Sequence, residues 1–145
     1  INLQYRIRKE NEWLIWTEDN KFGLYDSEQD TVSIGLNWFS GNKHEIRLKS
    51  QFVALQADNP QSLISDSGGY LYDSDDLIKP FTQGVVSFQV RYKYEIAPLS
   101  YLYLVYSKGG TSYDEDEDYS KSEIFNQPWN NPSDEVYSIK FRLKY

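Results

Sequence analysis

Apolar and polar residues alternate along much of this chain with a period of two. A β-strand turns successive side chains to opposite faces, so the pattern predicts strands with one greasy and one polar face. The last eleven residues show it best: Tyr137, Ile139, Phe141, Leu143 and Tyr145 interleave with Ser138, Lys140, Arg142 and Lys144. Val86, Phe88, Val90, Tyr92, Tyr94 and Ile96 alternate likewise with Ser87, Gln89, Arg91, Lys93 and Glu95. Ile1 to Arg8 and Val32 to Trp38 repeat the pattern, the latter placing Ile34 and Leu36 on its greasy face. From His44 to about Leu55, Ile46, Leu48, Phe52 and Ala54 oppose Lys43, Glu45, Arg47, Lys49 and Gln51. Leu99–Ser107 returns as a further strand. Trp13–Tyr25 is patterned poorly and reads as one irregular strand, with Glu18–Asn20 as a place where it could break.

Turn residues divide these segments. Lys9–Glu12 and Ala97-Pro98 read as tight turns, and Ser40-Gly41-Asn42-Lys43 as a two-residue hairpin loop centred on a positive-φ Gly-Asn pair. Breakers such as Asn59-Pro60, Gly68-Gly69 and Gly109-Gly110 open long loops. The reading yields seven strands, no helix and no internal repeat.

Charge separates along the same lines. Thr17–Asp30, Gln56–Thr82 and Lys108–Asp134 hold seventeen of the twenty-two acids and four of the fifteen bases. Short connections thus alternate with long acidic ones, the rhythm of outer-membrane barrels with short periplasmic turns and longer outer loops. No run reaches the roughly 18 apolar residues of a spanning helix, so any span has to be β. The mean hydropathy of −0.69 is compatible with that, because barrel strands carry polar lumen residues on every second position. The fold class predicted is all-β: an antiparallel up-and-down transmembrane β-barrel, with residues 1–145 as the C-terminal segment of one larger barrel domain.

In that frame Ile34, Leu36, Phe88, Val90, Ile139, Phe141 and Leu143 face lipid. Arg6, Arg8, Arg47, Lys49, Arg91, Lys93, Lys140 and Arg142, with Lys43 and Lys144, line a basic lumen. Trp13, Trp38, Tyr94 and Tyr145 fall near periplasmic strand ends, and Phe52, Tyr106 and Tyr137 near outer ends, as interfacial belts require. With Tyr145 periplasmic, an odd strand count starts Ile1 at the outer rim. An even-numbered barrel then requires a strand upstream, or two strands merged within Trp13–Tyr25. The absence of Met and of a signal peptide favours the first, a mature or excised piece of a longer protein.

The terminal aromatic strand resembles the C-terminal strand of bacterial outer-membrane β-barrels, in which a final aromatic such as Tyr145 belongs to the signal read by the assembly machinery. The segments HEIRLKSQFVALQAD, FQVRYKYEIAPLSYLYLVYSKGG and DEVYSIKFRLKY resemble the C-terminal barrel region of an uncharacterised bacterial family. In that family the barrel follows a domain similar to carbohydrate-binding module family nine. The resemblance implies a Gram-negative outer-membrane location, with Tyr145 periplasmic and the acidic loops outside. It implies lipid, lipopolysaccharide and the barrel-assembly machinery as partners, and a glycan only through the upstream domain. It carries over no catalytic residue.

Chemistry is sparse. The chain has no Cys, which removes disulfides, thiolate metal sites and a cysteine nucleophile. The one histidine, His44, sits beside a turn, and no Ser has a nucleophile-elbow context. Asp114–Asp118 offers alternate carboxylates to a hard cation but lacks the glycine and distal Glu of an EF-hand loop, so it reads as a solvated acidic loop. No cofactor and no enzymatic activity are expected, and a net charge of −7 disfavours nucleic acid. The function expected is a membrane anchor or porin-like solute channel for a larger protein. The alternative is a soluble, aromatic-rich carbohydrate-binding β-sandwich.

Overall fold

The computed structural model describes residues 1–115 and 118–144; Tyr145, expected to carry the assembly signal, lies outside them. It is an antiparallel sheet with one helix. The strands are β1 (Asn2–Glu18), β2 (Lys21–Ser40), β3 (His44–Ser65), β4 (Leu71–Asp73), β5 (Phe81–Ala97), β6 (Ser100–Glu115) and β7 (Asp134–Arg142), with α1 (Lys121–Asn130) between β6 and β7. The spatial order is β1-β2-β3-β5-β6-β7, and the short β4 pairs only with the distal part of β3. The sheet is not closed into a barrel: β1 and β7 are both edge strands.

Lys9–Glu12 is not a turn. β1 runs through it and absorbs the irregularity as a bulge between Glu10 and Trp13, with Glu12 at φ 57°. The chain instead reverses at Asp19-Asn20, where Asp19 has φ 43°. Trp13–Tyr25 is therefore the end of β1 and the start of β2, which resolves the parity. Six long strands run up and down, and Asn2 and Arg142 lie at the same end as the Gly41 turn. Trp13 consequently sits at the distal end, not beside the Gly41 turn, and Phe52 lies mid-strand. The Gly41 loop has three residues between the last pair, Ser40 and His44, and Pro98-Leu99 forms the other proximal turn. The acidic stretches read as loops are largely the distal halves of long hairpins.

The 108–134 stretch also contains α1, which strand periodicity does not reveal. Its start is written locally: Ser120 caps the helix and Glu123 reaches back to the Ser120 backbone, a capping box. Pro128 within it removes one donor, and the helix ends two residues later, at Asn130.

Register carries every long strand's alternation across the sheet in rows. One face presents Leu36, Leu48, Val90, Tyr106 and Tyr137 in one row and Trp38, Ile46, Tyr92, Leu104 and Ile139 in the next. Above them, α1 packs on this same face. Trp129 meets Phe88 edge-on at 5.5 Å between ring centroids and Phe52 at 5.9 Å, while Phe125 meets Phe52 at 6.3 Å. Gly84 and Gly110 leave room for the Ile124 and Pro128 carbonyls, which a Cβ at either position would strike. Ala54, Val86, Ile124 and Pro128 are buried there.

Polarity changes sides along the strands. Beyond the Val32–Phe52–Val86–Gly110 row, the face that was greasy presents Asp30 and Glu28, while the opposite face presents Tyr25, Ala57, Phe81, Tyr113 and Trp13. Phe81 contacts Tyr25, Tyr113 and Trp13 at centroid distances of 5.2, 5.3 and 6.4 Å. Two small clusters, on opposite faces of the distal half, are thus the only buried cores among the described residues. Among the described residues nothing packs over the proximal greasy face. The accessible surface is 10003 Å², against roughly 7,700 Å² for a compact monomer of this mass. Edge-strand apolar residues stay open, with Leu3 69% and Ile139 68% exposed.

Candidate functional site

The opposite proximal face is basic because the same register stacks the polar positions of successive strands. Arg47 faces Arg91 across β3 and β5, and Arg91 lies beside Val105 and Ser138. In the next row Glu45, Lys93, Tyr103 and Lys140 are adjacent, and beyond them Tyr101 pairs with Arg142. Lys49 and Gln89 form the row above, and Arg6 and Arg8 extend the basic face on β1. All eight bases expected on the polar side share this face, and Ile34, Leu36, Phe88, Val90, Ile139 and Phe141 share the other. Leu143 continues the parity of Phe141 just past the last pair.

Charge on this face is only partly compensated. Glu45 is bound to the Arg47 guanidinium and lies 3.8 Å from the Lys93 ammonium. Arg8 pairs with Glu10 at 2.6 Å. Among the described residues Arg6, Lys49, Arg91, Lys140 and Arg142 have no carboxylate within ion-pair distance. Lys93 lies 4.3 Å from the centre of the Tyr101 ring, a cation–π contact.

Hollows lie along this face among the described residues. One of about 500 Å³ is polar, with Lys49 as its one charged lining residue, between Ser33, Gly35, Lys49, Gln51, Ser87 and Gln89. Below it a hollow of about 190 Å³ lies between Glu45, Arg47, Arg91, Lys93 and Tyr103. It shares Arg91 and Tyr103 with a third, of about 320 Å³, that reaches Ser138, Lys140 and Arg142. Tyr103 and Glu45 line these hollows without being singled out by the charge pattern, and Tyr101 lies in the row beyond them. The alternation does place them on this face, but nothing local says that register will set Tyr103 between Lys93 and Lys140.

His44 lies on the greasy face at the proximal rim. Its Nδ1 is 2.7 Å from the Tyr92 hydroxyl, and its ring stacks 4.9 Å from Tyr94. No group of acids, His or Cys among the described residues could hold a metal ion. Asp114 and Glu115 end β6, and the middle of the acidic run lies outside those residues. No described helix is long and apolar enough to cross a membrane, which says nothing of a β-barrel.

A second charged cluster anchors α1. The Lys121 ammonium binds both Glu28 and Asp30, 2.5 Å from Asp30 Oδ2, and the Tyr5 hydroxyl donates to the other Asp30 oxygen. Asp30 is 1% exposed. Asp30 first and Glu28 second hold the Lys121 ammonium well above the ordinary lysine range.

No family model, curated protein or solved structure matches this chain.

Proposed function

We propose that this chain is part of an integral β-barrel of a bacterial outer membrane, serving a larger protein as anchor or solute channel. The reading is supported chiefly by the uncovered greasy face. Counting the distal rows that α1 covers, the greasy face runs on β3 from the His44 row to the Ala54 row, about ten residues or some 33 Å along the strand. At a tilt near 40° that is roughly 25 Å of height, the apolar band of an outer-membrane barrel. A single sheet with one open apolar face needs a cover, and lipid supplies one without a second protein layer. Both free edges, β1 and β7, need strand partners in such a setting, since unpaired backbone groups are costly in hydrocarbon. A sandwich would need a second sheet, and the described residues form one.

In this placement the greasy rows face lipid, the basic face lines the lumen, and α1 rests on the outside at the outer rim, where its exposed Ser122, Glu123, Asn126 and Asn130 meet water. The long distal loops are extracellular and the Gly41 and Pro98-Leu99 turns periplasmic. The resemblance of the C-terminal segments to an outer-membrane barrel family supports the same location, with lipopolysaccharide and the assembly machinery as partners.

The test is a pair of arginines. Val90 lies mid-band, and its neighbour Gln89 points to the other face. Val90→Arg should lose about 2–4 kcal/mol of stability in a bilayer, and Gln89→Arg should be near neutral. Equal folded yields, or a protein that is monodisperse and cooperatively folded without detergent, would sink the reading.

A further inference from the structure

We propose that the two hollows sharing Arg91 and Tyr103 are one binding site for a small organic anion carrying a phosphate or carboxylate group. The inference takes the basic face to be accessible to water, and it rests on the proposed lumen only for where the site lies.

Three observations carry it. First, the register sets Arg47 directly opposite Arg91, and like charges facing each other across strands are destabilising. Glu45 answers Arg47 and Lys93, so among the described residues Arg91, Lys140 and Arg142 are left without a carboxylate partner around one hollow. Second, that hollow is about 320 Å³, the lower end of the range for small-molecule sites, and continues into the 190 Å³ one past Arg91. Third, its wall is amphipathic: Tyr103 and Val105 offer apolar surface, and Ser138 offers a hydroxyl. A guanidinium presents a planar fork that matches a carboxylate or phosphate with two parallel hydrogen bonds. Two arginines and a lysine around a tyrosine ring suit an anion with a flat body better than a bare ion. Arg6 and Lys49 lie on the same face without such a hollow of bases, so the arrangement is local and not a property of the whole face.

The full-length protein in detergent micelles should bind phenyl phosphate saturably, with inorganic phosphate weaker and benzyl alcohol not bound. Benzoate against phenyl phosphate tells which acid group the site prefers. The double variant Arg91→Gln/Arg142→Gln should raise the dissociation constant at least tenfold, and Arg6→Gln/Lys49→Gln should leave it within about twofold. Tyr103→Ala should weaken phenyl phosphate and leave inorganic phosphate nearly unchanged. If the glutamine pair does not fold, Arg91→Lys/Arg142→Lys keeps the charge and removes the forks, and it should still weaken binding severalfold. No saturable binding by folded protein, or equal losses in the Arg6/Lys49 pair, would overturn the site. Need for detergent is read separately. A protein that binds but is soluble without detergent keeps the site and loses the membrane reading; one that needs micelles and does not bind does the reverse.

Discussion

At the scale of single residues, backbone conformation and close approach set the sharpest expectations. Leu99 has φ 63° in the two-residue turn after Pro98. That is the sign required at the third position of a type II turn, where glycine is usual. A left-handed conformation costs a non-glycine residue about 1–2 kcal/mol, and glycine's extra unfolded entropy returns about 0.5–1 of that. Leu99→Gly should therefore raise unfolding stability by up to about 1 kcal/mol, while β-branched Leu99→Val should lower it. Gly84 acts in the opposite sense. Its missing side chain is the space the Ile124 carbonyl occupies. Gly84→Val should push α1 off the sheet at a cost of about 1–3 kcal/mol, seen as faster hydrogen exchange in 121–130 with β5 still paired. Unchanged exchange would mean that the sheet yields instead of the helix.

At the scale of elements, α1 is held at both ends by different chemistry. Lys121 grips Asp30 and Glu28 at its start, and Trp129 lies between Phe52, Phe88 and Lys108 at its finish. Removing Lys121 leaves Asp30 buried with only the Tyr5 hydroxyl, so Lys121→Ala should cost about 1–3 kcal/mol, more than an exposed ion pair would. The Lys121 ammonium is held above its ordinary range, so its contribution is complete below the unfolded value near 10.4 and is lost only as pH rises through the higher folded one. Docking should therefore survive alkaline pH that deprotonates free lysines. Acid acts through other groups. The Ser120 hydroxyl and backbone N–H hold the Glu123 carboxyl below its usual range, so the capping box is intact above the unfolded value near 4.3 and weakens as pH falls below it. In the β3–β4 loop the Tyr70 backbone N–H foremost, with those of Gly68 and Gly69 and the Tyr72 hydroxyl, does the same for Asp66. Amide exchange across 66–73 and 120–124, corrected for its intrinsic pH dependence, should be flat from pH 8 to 5 and rise below about pH 4. Asp66→Asn should abolish the rise in the first segment alone.

At the scale of the whole molecule, the two faces and two ends make separable predictions. In the proposed barrel the basic face would give a positive field inside a low-dielectric wall, so an open barrel should prefer anions. The reversal potential of single channels of the full-length protein in a salt gradient measures this, and cation preference would count against the basic lumen. No conductance would point to the anchor role. Orientation is tested with labelling, since the chain has no cysteine of its own. A cysteine at Ser67 should react with an impermeant reagent on intact cells, and one at Asn42 only after the outer membrane is opened.

How much of this was written in the chain depends on whether the information is local. The alternation in Tyr137–Leu143 and Val86–Ile96 determined strand type and the membership of each face, because side-chain direction follows from backbone pleat alone. The Ser120–Glu123 capping box is also written locally, in a stretch where strand periodicity gives no sign of a helix. The irregular stretch around Glu12 was ambiguous. A bulge and a turn begin with the same positive-φ residue, and only pairing with Glu28 to Tyr25 on β2 makes it a bulge. The exchange of polarity between faces had a trace in Phe52-Val53-Ala54-Leu55, where both phases are apolar at once. Its meaning waited on α1 and on the aromatic cluster around Phe81, which bury opposite sides. Tertiary structure alone decided which bases share a hollow, for register between strands far apart in sequence sets Arg91 against Arg47 and near Lys140. Alternation tells each strand which way its side chains point; only the pairing of strands tells each side chain whom it meets.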